Sequence, residues 1–323
     1  MKKAILAATI ATLVAAPAAS ANVTIYGQVH VAIEKYDGFQ DAWEVIQDDV
    51  WAVKSIASRI GFKGTEDLGN GLSVIWKAET TYDFADGSAW GSGRNAYIGL
   101  AGDWGTFLYG RHDSPYKMAY YSTGIEMMGD TILDFKRMGD NMHNGSDLED
   151  IEFWRGDRYN GAIAYISPNM NGLTIAGAIV PGANSGGPGG DGLADAVSLA
   201  AMYANNGLKL AMAYESNEDG DDDSWLVGAS YTMNNMTLAV TYNEDSGMDD
   251  GGGDHEALLV AGSYRAGNNN FVVKYGDDLD SDSDWVWGIG VEHALSKRSM
   301  AYVAYADSQD DDSALSVGMI HKF

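Results

Sequence analysis

The sequence predicts an all-β chain, about 16 antiparallel strands closed into one transmembrane barrel. Three observations predict it. Large apolar residues alternate with small or polar ones over segments of about five to eight residues, many times along the chain. Short Asn/Gly turns alternate with long acidic loops, the connectivity of an up-and-down meander. Aromatic residues bracket the apolar face at the strand ends, as expected where a barrel wall meets two membrane interfaces.

The chain opens with "MKKAILAATIATLVAAPAASA". Lys2 and Lys3 form a charged start, a short apolar run follows, and Ala19-Ser20-Ala21 is a small-residue cleavage site. This reads as a secretory signal peptide over 1–21, leaving 22–323 as a single barrel domain. The apolar run is too short for a membrane helix, and no later segment has about 18 consecutive apolar residues. Cysteine is absent, which excludes disulfides and thiol chemistry. The formal net charge of −26 becomes −28 once Lys2 and Lys3 are removed, so a nucleic-acid partner is excluded. Eighteen Tyr, nine Trp and 46% hydrophobic residues argue against disorder.

Strand candidates start near residues 23, 51, 71, 92, 105, 158, 171, 194, 207, 224, 236, 255, 269, 283, 298 and 313. In the first, Thr24, Tyr26, Gln28, His30 and Glu34 share one face, opposite Val23, Ile25, Val29, Val31 and Ile33. In the second, Arg59, Lys63 and Thr65 oppose Ile60 and Phe62. In the third, Lys77 and Glu79 oppose Leu72, Val74 and Trp76, and Arg94 opens the fourth. A charge on a lipid face costs about 2–4 kcal/mol at mid-membrane, so these charges are expected to line a lumen. Later strands repeat the pattern with a small second face: Ala211, Ala213, Gly228, Ser230, Thr237, Ala239, Gly288 and Gly290. A soluble sandwich would carry exposed charges there. Barrels of about 16 strands leave an aqueous channel.

Residues 112–157 break the pattern between the fifth and sixth candidates. Tyr116, Tyr120, Tyr121, Met127, Met128 and Phe135 give this segment groups of its own to pack, so it is expected to be an ordered loop. It carries ten acids against four bases.

Specific motifs are also familiar. "NVTIYGQVHVAIE" (22–34), "SRIGFKGTEDLGNGLSVIWKAE" (58–79), "RNAYIGLAGDWGTFLYGR" (94–111), "YISPNMNGL" (165–173) and the terminal "SVGMIHKF" (316–323) resemble the trimeric general diffusion porins of Gram-negative outer membranes. The resemblance implies 16 strands, a homotrimer in the outer membrane, and passive diffusion of small hydrophilic solutes and ions. It also implies a third outer loop folded into the barrel. Arg59 and Arg94 then match a basic constriction cluster on the wall. Glu126, in "IEMMGD", matches an acid on the inward loop, with Asp130 beside it. Gln28, Ile166 and Ser122 stand at positions where the family often has charges, so the implied transverse field is weaker. Arg111 is a candidate trimer contact.

Gln28, His30, Arg59, Lys77, Glu79, Arg94, Glu126 and Asp130 are therefore the expected lumen and constriction residues. The loop acids favour cations. Two other readings are a substrate-specific porin for sugars or phosphate, and a non-conducting adhesin or structural barrel. Outer-membrane lipid and lipopolysaccharide are the expected surroundings. The acidic outer loops hold 21 of the 46 acids and no Lys or Arg. None has an EF-hand spacing, so they read as a solvated, salt-adapted surface.

No cofactor or metal site is expected, since the six histidines lack metal-site spacing and no P-loop is present. His112-Asp113-Ser114 lists triad residue types, but adjacent residues point apart and no G-x-S-x-G elbow occurs, so no enzyme is expected.

Overall fold

The computed structural model describes residues 22–37, 39–40, 46–47, 49–88, 90–135, 158–183, 190–217, 222–246, 254–279, 285–309 and 313–323. The expected signal peptide, parts of the acidic loops and the second half of the 112–157 segment lie outside them.

Period-two alternation becomes a closed antiparallel barrel of 16 strands. In chain order they are β1 (Asn22–Asp37), β2 (Val50–Ser55 and Arg59–Gly69), β3 (Leu72–Thr81), β4 (Gly93–Gly102), β5 (Gly105–Asp113) and β6 (Arg158–Ile166). Then come β7 (Leu173–Val180), β8 (Ala196–Asn205), β9 (Leu208–Asn217), β10 (Asp222–Met233) and β11 (Met236–Ser246). The last are β12 (Asp254–Ala266), β13 (Asn269–Asp278), β14 (Trp285–Ala294), β15 (Ser299–Ser308) and β16 (Ser313–Lys322). Each pairs with its chain neighbours, and β1 also pairs with β16 from Gln28↔Lys322 to Asp37↔Ser313. Closure satisfies the backbone within lipid and leaves no edge.

The short turns work because Asn and Gly tolerate positive φ. Asn206 and Gly207 sit at φ 48° and 83°, and Asn234 at 54°. The first part of β1 and the last residue, Phe323, meet at this short-turn rim. Gly27 N donates to the Phe323 carbonyl at 3.2 Å, and Phe323 N returns a bond to the Gly27 carbonyl at 3.1 Å. A Cβ on Gly27 would stand 2.6 Å from Phe323 Cζ, so the seam needs that glycine.

One interruption was invisible in the alternation. Strand β2 breaks at Ile56-Ala57-Ser58. Wall side chains satisfy the gap: Gln28 Nε2 donates to the Ala57 carbonyl at 2.9 Å, and Ser58 Oγ accepts from His30 N at 2.8 Å. His30 Nε2 also lies 2.9 Å from the Tyr302 hydroxyl.

Outside, the barrel shows its apolar residues: Val23, Ile25, Val227, Leu238, Val273 and Val303 are all exposed. Tyr231, Tyr264, Phe271 and Tyr275 are exposed near strand ends, the expected girdle residues. Inside lies a hydrophobic core of a different kind. Tyr116, Tyr120, Ile125, Ile132, Leu133 and Phe135 of the inward loop are buried against small wall residues, among them Ala211, Ala213, Ala239, Ala261, Ala304 and Ala306. The small inner face thus has a packing role as the loop's seat.

Candidate functional site

The inward loop starts as a helix, α1 (Pro115–Thr123). Its start is dictated locally. Ser114 is the N-cap and accepts from Lys117 N at 3.1 Å, and Pro115 pre-sets the first turn. It ends where Gly124 turns left-handed at φ 79°. The helix lies on the inner wall of β8 to β11. Tyr116 N takes Ser198 Oγ at 3.0 Å, and Tyr116 Oη donates to the Trp225 carbonyl at 3.3 Å.

After the helix the chain crosses toward β13–β16. Met128 and Asp130 take positive φ, 55° and 60°, in a tight turn closed by Thr131 Oγ1 on the Met128 carbonyl at 2.7 Å. Gly288 and Gly290 of β14 leave room for it: a Cβ on either would meet Leu133 Cδ2 at 2.3 Å or Met128 Sδ at 2.4 Å. Lys274 of β13 donates to the Leu133 carbonyl at 2.6 Å and lies 3.6 Å from Glu126 Oε1. Tyr120 donates to the same Glu126 oxygen at 2.5 Å. Burial, reinforced by Glu126 and Asp134, pushes the Tyr120 hydroxyl well above its usual range and keeps it a donor.

The facing wall, β1 to β6, carries a ladder of charges. Glu79 is its centre. Its side chain is 5% exposed and accepts from Arg94 Nε at 2.6 Å and from Tyr26 Oη at 2.8 Å, with Lys77 Nζ at 3.3 Å. Asp113 is held likewise by Arg158 at 2.7 Å and by Asn95 Nδ2 at 2.7 Å. Lys63 and Lys77 stand directly opposite in register, their Nζ atoms 5.2 and 5.5 Å from the Tyr26 ring centre. Together with Thr24, Thr65 and Tyr97 they line a cavity of about 550 Å³ at the short-turn end. Wall and loop meet at one edge, where Arg59 Nη1 lies 3.7 Å from Asp130 Oδ2.

The expected site residues therefore divide. Arg59, Lys77, Glu79, Arg94 and Asp130 come together on the inner side of the barrel as two ion-pair groups, Arg59 with Asp130 and Lys77 and Arg94 with Glu79. Gln28 and His30 are on the lumen face, but both are buried and their side chains bind the wall. Glu126 lies behind the loop, its side chain 8% exposed. Arg111 pairs opposite the outward-facing Ala96, donates to the Gly93 carbonyl at 2.9 Å and bonds Asn160 Oδ1. Arg158, Asn95, Asp113 and Lys274 were missed. Parity could have placed Lys274 inside. A bulge between Ala78 and Thr80 brings Arg94 onto the inner face beside Asn95, which keeps the face of Tyr97, and another between Gly110 and His112 disturbs the alternation just before Asp113. Among the described residues no group of His, Asp or Glu is arranged to hold a metal.

The family model for Gram-negative porins matches residues 7–313. The chain belongs to that family. Its likeness to Neisseria major outer membrane protein P.IB agrees. The N. gonorrhoeae protein is 28% identical over 215 residues, 64% of this chain and 55% of its own length. The N. meningitidis serogroup A protein is 38% identical over 120 residues, 36% of each chain. The aligned part thus spans between 36% and 55% of the length of these two relatives. Among solved structures, an anion-selective porin from Comamonas acidovorans is 22% identical, with TM-score 0.72 over 94% of this chain and 100% of its own. An Rh. blastica porin variant is 17% identical, with TM-score 0.71 over the same shares. At these identities the likeness is one of fold. Family membership puts this porin in the bacterial outer membrane.

Proposed function

We infer that this porin is a passive, water-filled channel for small hydrophilic solutes and ions, surrounded by outer-membrane lipid and lipopolysaccharide. The observation that carries the reading is the lumen itself. The described half of the inward loop packs on one side of the barrel, and on the facing wall Arg59, Lys77 and Arg94 keep partial water contact around the buried Glu79. Family and fold point to a channel rather than an enzyme. The first 21 residues act as a removable signal peptide, and 22–323 form the barrel domain. Porin kinship supports a homotrimer, with Arg111 near the contact.

Cation preference is the finer part of the proposal. Its support is the acid excess, −26 overall, with the acids concentrated in the long loops at the outer mouth. The opposite preference has one specific observation behind it: Lys63 faces Lys77 across two strands at the inner mouth. Swelling of vesicles containing the purified protein tests the channel reading. Entry of neutral sugars at rates that fall with solute size is the expected result, and no swelling beyond protein-free vesicles would refute it.

A further inference from the structure

We propose that Lys274 is a selectivity-determining residue: it withdraws Glu126 from the permeation path and fixes how deeply the loop sits. The proposal rests on the channel reading above. Lys274 is on β13 with its side chain wholly buried at 0% exposure. Its Nζ donates to the Leu133 carbonyl at 2.6 Å, stands 3.6 Å from Glu126 Oε1, and lies 4.9 Å from the centre of the Phe135 ring. Loop residues on both sides of the Met128–Asp130 turn thus converge on one ammonium.

A cation removed from water needs a hydrogen-bond acceptor and a counter-charge. The Leu133 carbonyl supplies the first and Glu126, at 3.6 Å, the second. Its Oε1 faces Lys274 and also accepts from Tyr120, whereas Oε2 is buried with no hydrogen-bond partner. A carboxylate positioned by solvent would turn that second oxygen to water. Its burial indicates that the wall lysine, together with Tyr120, holds the group. The resemblance of "IEMMGD" to the family's loop motif implied an acid facing the pore, so the lysine accounts for the difference. With Lys274 present, Glu126 and its partner form a buried neutral pair. Asp130, its side chain 35% exposed beside Arg59, is then left as the acid at the loop turn that reaches the lumen.

The test is reversal potential across a KCl gradient in planar bilayers, using the full chain as wild type, K274M, E126Q and E126Q/K274M. Without the ammonium, Glu126 turns to water and presents its charge to passing ions. K274M should raise the potassium-to-chloride permeability ratio about twofold or more, the scale of one unit charge about 6 Å away in water. It should also close more often at a given voltage. In E126Q/K274M the ratio should return near wild type while the extra closures persist. E126Q alone, which leaves the lysine uncompensated, should shift the ratio toward chloride by a similar factor. That variant carries the test if K274M does not fold, as judged by heat-modifiable gel migration. Wild-type ratios in both single variants would overturn the proposal. A wild-type protein without conductance would overturn the channel reading instead.

Discussion

Arg59 Nη1 lies 3.7 Å from Asp130 Oδ2, and this pair joins the barrel wall to the turn of the inward loop. The two charges come from segments about 70 residues apart. Arg59 begins the second run of β2, just after the break at Ile56–Ser58. Asp130 sits at φ 60° in the loop turn. Both side chains keep water contact, at 24% and 35% exposure, so their attraction is screened and the pair can exchange with passing ions.

Neutralising either member should therefore change selectivity more than stability. Arg59→Gln should move the reversal potential toward cation preference, and Asp130→Asn toward anions. Thermal unfolding should shift little, since exposed pairs contribute about 0–1 kcal/mol. Equal reversal potentials for both variants and wild type would contradict this placement.

Glu79 is the opposite case. Its buried carboxylate is the shared acceptor for Arg94, Lys77 and Tyr26. Glu79→Gln leaves two cations uncompensated on the lumen wall. We expect a shift toward anions together with a loss of about 1–3 kcal/mol, the cost of orphaning buried polar partners. Reversal potential and urea unfolding in vesicles report the two effects separately.

The loop's seat can be filled from behind. A side chain on Gly290 of β14 would collide with Met128, since even a Cβ lies 2.4 Å from its sulfur. Gly290→Val should push the loop toward the lumen and lower single-channel conductance, with little change at the outer surface. Unaltered conductance would mean that the loop packs elsewhere.

The outward face has its own test. Val240 lies midway along β11 at 40% exposure, on the face read as lipid-facing. Val240→Arg should destabilise the membrane-inserted barrel by about 2–4 kcal/mol, measured by urea refolding into vesicles. A soluble β-sandwich or a water-facing position would show almost no loss.

Much of this molecule is legible in its sequence, and the reason is the strict period of two. Alternation set the faces of Tyr26, His30, Arg59, Lys77 and Glu79, and the strand starts fall within two residues of those found. The inner run of Ala and Gly was legible as a pattern, while its purpose became visible only with Leu133 and Met128 seated on it. What stayed hidden follows from the same period. A break such as Ile56–Ser58 leaves alternation apparently intact, and bulges at Arg94 and just before Asp113 shift a side chain without marking the sequence. Glu126 shows a second limit. Its burial depends on Lys274, 148 positions away, and parity places each residue without pairing them.

Single-channel recording of the wild-type protein in planar bilayers, with a KCl gradient across the membrane, tests the channel reading most directly. Discrete conductance steps and a reversal potential on the potassium side are the predicted result. The absence of steps, or steps reversing on the chloride side, would contradict the cation-preferring channel proposed from the lumen and its acid-rich mouth.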